Sequence, residues 1–171
     1  MTRPPLLVVL GGLPGTGKTT LARLLARDLG AVHLRIDTIE QAVVQSSLGV
    51  DAAAEVGYTA AAGIARDNLA LGLAVVADCV NPVAESQAGW HAVARETCAT
   101  LVELLLVCSD PAEHRRRVEE RVADIPGHVQ PAWVDVSTSA LAPWPGATVI
   151  DSAGRDPAEV ARDARRVIDG R

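Results

Sequence analysis

The sequence contains no phenylalanine, one tyrosine, one methionine and three tryptophans in 171 residues. Any core must therefore be aliphatic, and hydrophobic residues, mainly Leu, Val, Ile and Ala, supply 49% of the chain. Lysine is as scarce as the aromatics: of 16 basic residues, 15 are Arg and one, Lys18, is Lys. Acidic residues number 21, for a net charge of −5, which argues against a broad basic surface for duplex nucleic acid. No apolar run reaches the roughly 20 residues of a membrane helix, since Leu69–Ala77 is stopped by Asp78. Cys79, Cys98 and Cys108 are odd in number, widely spaced and set in apolar contexts, so they read as reduced thiols and not as a disulfide framework or metal site. His33, His91, His114 and His128 are scattered, without zinc-ligand spacing. The first apolar stretch runs into glycines and not into a cleavage site, so no signal peptide and a cytoplasmic location are expected.

What is present alternates. Short apolar runs at Leu6–Leu10, Val32–Ile36, Leu73–Asp78, Leu101–Cys108 and Ala147–Asp151 suit strands buried on both faces. Between them lie amphipathic or Ala-rich stretches at Lys18–Leu29, Thr38–Leu48, Asp51–Leu71, Ala84–Ala99 and Ala112–Val122, with a last one at Pro157–Ile168. Ala123–Pro145 breaks the pattern, holding five prolines or glycines and two of the three Trp residues; it reads as a loop-rich excursion with a short helix near Ala132–Leu141. The spacing predicts an α/β fold, 1–171 as one domain, with a five-stranded, mainly parallel sheet and helices on both faces.

Gly12-Leu13-Pro14-Gly15-Thr16-Gly17-Lys18-Thr19 matches G-x-x-x-x-G-K-[ST], after an apolar strand and before an amphipathic helix. Glycines let successive backbone N–H groups aim at one anion, and the helix adds its positive dipole end. Leu13, Pro14, Gly15, Thr16, Gly17, Lys18, Thr19 and Thr20 are thus the expected nucleotide-binding residues, Lys18 reaching the β and γ phosphates and the Thr19 hydroxyl ligating Mg²⁺. The only Lys of an Arg-rich chain occupies the position where a compact point charge suits the cradle better than a planar fork.

The loop, the Arg35-Ile36-Asp37 segment and Arg117-x-x-x-Arg121 together resemble a small P-loop kinase of the polynucleotide-5′-kinase-like and chloramphenicol-phosphotransferase-like group. The resemblance implies a three-layer P-loop NTPase fold with a lid at about 115–145, ATP and Mg²⁺ as cofactors, and four catalytic residues: Lys18, Asp37, Arg117 and Arg121. Asp37, placed at the end of the second strand, would orient or deprotonate the acceptor hydroxyl; its alternative is to cap the following helix. Asp78, ending an apolar strand, would hold Mg²⁺ directly or through water, or else serve as a turn residue beside Asn81-Pro82. Arg117 and Arg121, four apart and hence on one helical face, would stabilise the transferring phosphoryl group from the lid, the alternative being a salt-bridged solvated face. Arg115 and Arg116 read as surface residues, and Arg35, given the opposite pleat, is not expected in the pocket. Asn81 is a weaker candidate for facing the acceptor. Trp133 and Trp144 read as packing the lid, with a substrate-lining role as the alternative.

These readings converge on transfer of the γ-phosphoryl group of ATP to a hydroxyl of a small-molecule acceptor. A polynucleotide 5′-hydroxyl kinase and an ATP-binding or ATPase regulatory module are the alternatives. Net charge disfavours a long nucleic-acid acceptor, and a GTPase is excluded because its guanine-reading Asn-Lys-x-Asp element needs a second Lys.

Overall fold

The computed structural model describes residues 4–47 and 53–171. Five strands, β1 (Leu6–Gly11), β2 (Val32–Arg35), β3 (Val75–Asp78), β4 (Thr100–Val107) and β5 (Thr148–Asp151), form one sheet in the order β2-β3-β1-β4-β5. All four pairings are parallel, Leu10 lying opposite Asp78 on one side and Leu104 on the other. The helices are α1 (Lys18–Leu29), α2 (Ile36–Val44), α3 (Ala53–Ala70), α4 (Ala84–Thr97), α5 (Pro111–Glu120), α6 (Trp133–Thr138) and α7 (Pro157–Asp169). The expected Thr38–Leu48 and Asp51–Leu71 helices reach into residues 48–52, outside those described. Among the described residues no helix is long and apolar enough to cross a membrane.

Strand alternation divides the core into two. Val8 and Leu10 face α1 and α7, packing with Leu21, Leu25, Val160 and Ile168. Leu7 and Val9 face the opposite layer, where Ala61, Ala65 and Leu69 of α3 meet Trp90 and Val93 of α4. In α1, α3, α4, α5 and α7 the buried residues recur at i, i+3 or i+4, the spacing of one helical face. The absence of phenylalanine is met by β-branched strands and by small alanines that bring α3 close to the sheet, with Ala61 and Ala65 fully buried. Trp90 is the largest fully buried side chain.

The order of the strands places the site. From β1 the chain crosses to β2, and from β3 it crosses to the opposite side of β1. The carboxyl ends of β1 and β3 therefore border the crevice at which the direction of winding reverses, where open α/β sheets bind ligands.

The excursion between α5 and β5 is tied down at separated points. Asp124 pairs with Arg23 of α1 and Arg35 of β2. The Gln45 amide donates to Pro126 O at 2.8 Å. Trp133 meets His114 edge to face, ring centroids 5.2 Å apart. Trp144 Nε1 donates to the buried Glu103 carboxylate at 2.9 Å, and its ring lies so close over Gly11 that a Cβ there would approach it to 2.3 Å. Both tryptophans of the excursion thus have packing partners.

Candidate functional site

A cavity of about 710 Å³ opens at the carboxyl edge of the sheet. Its floor is the 12–19 loop. Gly12 (φ 134°) and Gly15 (φ 84°) hold backbone conformations that side chains rarely adopt. Space is short as well: a Cβ on Gly12 would come to 2.3 Å from Leu106 O, and one on Gly15 to 2.6 Å from Val118. The Thr16 hydroxyl and the Lys18 ammonium both donate to Leu13 O at 2.9 Å, closing the loop on itself. Lys18 is only 8% exposed. Burial lowers its pKa from the ordinary lysine value, and the nearby Asp78 and Asp37 carboxylates partly restore it.

Pro14, Gly15, Thr16, Gly17, Lys18, Thr19 and Thr20 line the cavity together with Asp37, Asp78, Arg117 and Arg121; Leu13 does not line it, and its carbonyl receives Lys18. The fold thus brings these residues to one place from four separate stretches of chain. Asp78 is buried at the end of β3, with His33 Nε2 at 3.3 Å and Arg35 Nε at 3.9 Å. Beneath the site the Cys79 thiol is pushed up to about 12 by burial and by Asp78, so it stays a protonated core group.

Three expectations change in detail. The second strand ends at Arg35, not Ile36, so Asp37 lies in the first turn of α2 and not on a strand. The N-cap is Arg35, and no side chain makes a capping hydrogen bond there, so the capping alternative for Asp37 falls away. Its carboxylate has Arg35 Nη2 at 3.7 Å. Residues two apart on a strand share a face, so the expected separation of Arg35 from Asp37 does not hold, and Arg35 lines the cavity with it. Third, α5 ends at Glu120 and Arg121 is extended (φ −65°, ψ 138°), so Arg117 and Arg121 do not share a helical face. Ile125-Pro126 disfavours continuing the helix, and the Asp124 contacts draw the chain across the cavity mouth.

The two arginines accordingly differ. Arg117 donates to Glu113 Oε1 at 2.6 Å, to Ser152 Oγ at 2.9 Å and to Ser152 O at 2.9 Å. The Ser152 hydroxyl in turn lies 2.9 Å from Thr16 O. Glu113 also accepts from Gly154 N, and that bond, with Arg117, holds its carboxyl below the usual range. Arg121, by contrast, has Nε and Nη2 buried without a hydrogen-bond partner. Desolvation lowers its pKa, Asp37 opposes the shift and Arg35 adds to it.

Sequence reasoning missed Ser152, His114 and Asp124. Ser152 follows β5 at the carboxyl edge, a positional signal without a motif. His114 Nε2 sits 2.8 Å from Pro14 O, bracing the loop from α5. Asp124 gives no local sign of its partners 101 and 89 residues away. Arg115 pairs with Glu119 on the exposed face of α5. Asn81 (φ 54°) is 1% exposed with both amide atoms unpartnered, and its backbone N–H donates to the Tyr58 hydroxyl; it lies beneath the surface instead of lining the cavity. Tyr58 and Arg66 border a separate 530 Å³ groove between α3 and α4.

Among the described residues no group of three or more His, Cys, Asp or Glu side chains is arranged to hold a metal. Thr19 and Asp78 on the same cavity wall supply hard oxygen donors. These suit Mg²⁺, which commonly binds through one or two protein groups, phosphates and water.

No curated protein matches the chain in sequence. Among solved structures, a Chloroflexus aurantiacus protein provisionally named a kinase superposes with TM-score 0.77 at 19% identity, covering 99% of each chain. A gluconokinase from Sinorhizobium meliloti gives 0.68 at 18% identity, covering 99% of this chain and 94% of that one. An APS kinase from Mycobacterium tuberculosis, solved with AMPPNP and APS, gives 0.69 at 19%, covering 98% of each. These likenesses establish the P-loop NTPase fold. Residues 7–143, from the first strand through the phosphate loop and most of the excursion, match the AAA domain family, and the chain belongs to that family.

Proposed function

We propose that the chain is an ATP- and Mg²⁺-dependent kinase that transfers the γ-phosphoryl group to a hydroxyl of a small-molecule acceptor. The observation that carries this reading is an uncapped carboxylate, Asp37, on the same cavity as Lys18 and the phosphate loop. In an ATP-hydrolysing module the same carboxylate would orient a water instead of a hydroxyl, so the fate of the γ-phosphoryl group separates the two readings. The solved neighbours named gluconokinase and APS kinase favour a small acceptor.

In this reading residues 13–20 cradle the ATP phosphates, with Lys18 leaving Leu13 O to meet the β and γ phosphates. Asp37 accepts the acceptor hydroxyl's proton as that oxygen bonds to the γ phosphorus. The bond from the γ phosphorus to the bridging oxygen breaks, and ADP leaves. Arg121, with unpartnered donors, neutralises charge developing on the transferring group. Arg117 braces the loop through Ser152 and Glu113. Mg²⁺, held by the Thr19 hydroxyl and the Asp78 carboxylate, supplies further neutralisation of the phosphate oxygens when bound.

The test is incubation with γ-labelled ATP, Mg²⁺ and a metabolite extract. Label is expected in a small phosphorylated product, lost in Lys18→Ala and Asp37→Asn. Release of free phosphate as the sole product contradicts the proposal and supports an ATPase module.

A further inference from the structure

Six cationic side chains and three carboxylates line the main cavity, in a chain whose net charge is −5. Not all of that positive charge is committed to the nucleotide wall. Arg117 and Arg155 are held beside β5 by Glu113, Ser152 and Asp163. Arg35 and Arg121 instead stand on the Asp37 side, close enough that Arg35 disfavours the charge on Arg121, while Asp124, Asp78 and Asp37 favour that on Arg35. Arg121 Nε and Nη2 and Arg35 Nε are buried without hydrogen-bond partners. Two desolvated guanidiniums at one site are costly unless an anion joins them.

Part of the required anion is already visible. The Asp124 carboxylate, on the excursion, accepts from Arg35 Nη1 at 2.8 Å and from Arg23. Its side chain is 38% exposed whereas that of Arg35 is 12% exposed. An exposed carboxylate on a loop thus reaches in to a buried guanidinium, leaving Arg35 Nε and the Arg121 donors unmet.

We infer that Arg35 forms an anion subsite next to Asp37, Arg121 beside it serving the transferring phosphoryl group, and that the acceptor is a hydroxy compound bearing a carboxylate, sulfate or phosphate group that replaces Asp124 on Arg35. The subsite stands on the geometry; its assignment to the acceptor rests on the kinase reading above. Arrival of the acceptor would free Asp124 and with it the excursion.

The probe is inorganic sulfate, titrated by calorimetry into the chain with its phosphate loop saturated by Mg²⁺ and AMPPNP. One saturable sulfate per chain is expected. Arg35→Gln should weaken it about tenfold or more, the loss of a charge-assisted hydrogen bond, while AMPPNP affinity stays within about twofold. Asp124→Asn, at an exposed position, should tighten sulfate by removing its competitor. It decides the matter if Arg35→Gln does not fold. Absence of saturable sulfate, equal affinity in Arg35→Gln, or no gain in Asp124→Asn overturns the subsite. A second arm splits a metabolite extract on an anion exchanger and offers each fraction with γ-labelled ATP. Label is expected only with the retained fraction, and transfer to the flow-through overturns the acceptor assignment. Transfer with neither fraction contradicts the kinase reading, and the sulfate titration still decides the subsite.

Discussion

On the β5 wall of the cavity Arg117 is held by Glu113 and Ser152, and Ser152 by the loop itself; on the Asp37 wall Arg121 leaves two nitrogens unpartnered and Arg35 borrows Asp124 from the excursion. The first wall is complete without a ligand. Its internal hydrogen bonds hold the phosphate cradle in shape, which lowers the ordering required when nucleotide binds. The second carries buried donors whose partners must arrive from elsewhere, and such donors are costly until they do. In the proposed reaction the nucleotide would meet a preformed surface and the acceptor one that must exchange partners.

Breaking the nucleotide wall should have the largest effect. Lys18→Ala is expected to cut phosphoryl transfer by about a thousandfold, with weakened ATP binding, measured by label transfer and calorimetry. Asp37→Asn separates the walls: transfer should fall by about a hundredfold or more, while Mg-ATP affinity stays within about twofold. The arginines sharpen the contrast. Arg121→Ala is expected to lower kcat by about tenfold to a hundredfold without changing the melting temperature. Arg117→Ala should instead reduce the melting temperature by several degrees and raise the KM for ATP, because it leaves Glu113 and Ser152 without their shared partner. Equal behaviour of the two variants would remove the distinction between the walls.

The smallest effect is on pH dependence. Burial lowers the Lys18 pKa below 10.5, and Asp37 acts in the opposite direction. The charged form exists below that value, so Mg-ATP affinity should decline as pH rises through it, at lower pH than an exposed lysine would give. Asp37→Asn should move the decline lower still. An unchanged profile would mean that Asp37 does not act on Lys18.

The nucleotide wall was also the more legible in sequence, for a physical reason. Gly12 to Thr19 is contiguous, so its geometry is carried by local glycines and the following helix, and the alternation of apolar runs carries the parallel sheet. The Asp37 wall is assembled across long separations. Arg35 takes its place in the site from Asp124 on the excursion, a contact that no local pattern carries. Arg121 depends on where α5 ends, and Asp124 on a chain path 89 residues beyond its partner Arg35. Ser152 acts through Arg117 and carries no motif of its own. Isolated polar residues acquire meaning only once the fold has brought them together.

The central claim is that Asp37 serves an acceptor and not the nucleotide. It is tested most directly by giving wild type and Asp37→Asn the same metabolite extract and γ-labelled ATP, and measuring label transfer and Mg-ATP affinity in parallel. The expected result is transfer by wild type, loss of transfer in the variant and matching affinities. Undiminished transfer by Asp37→Asn, or a loss of nucleotide affinity in step with activity, would contradict it.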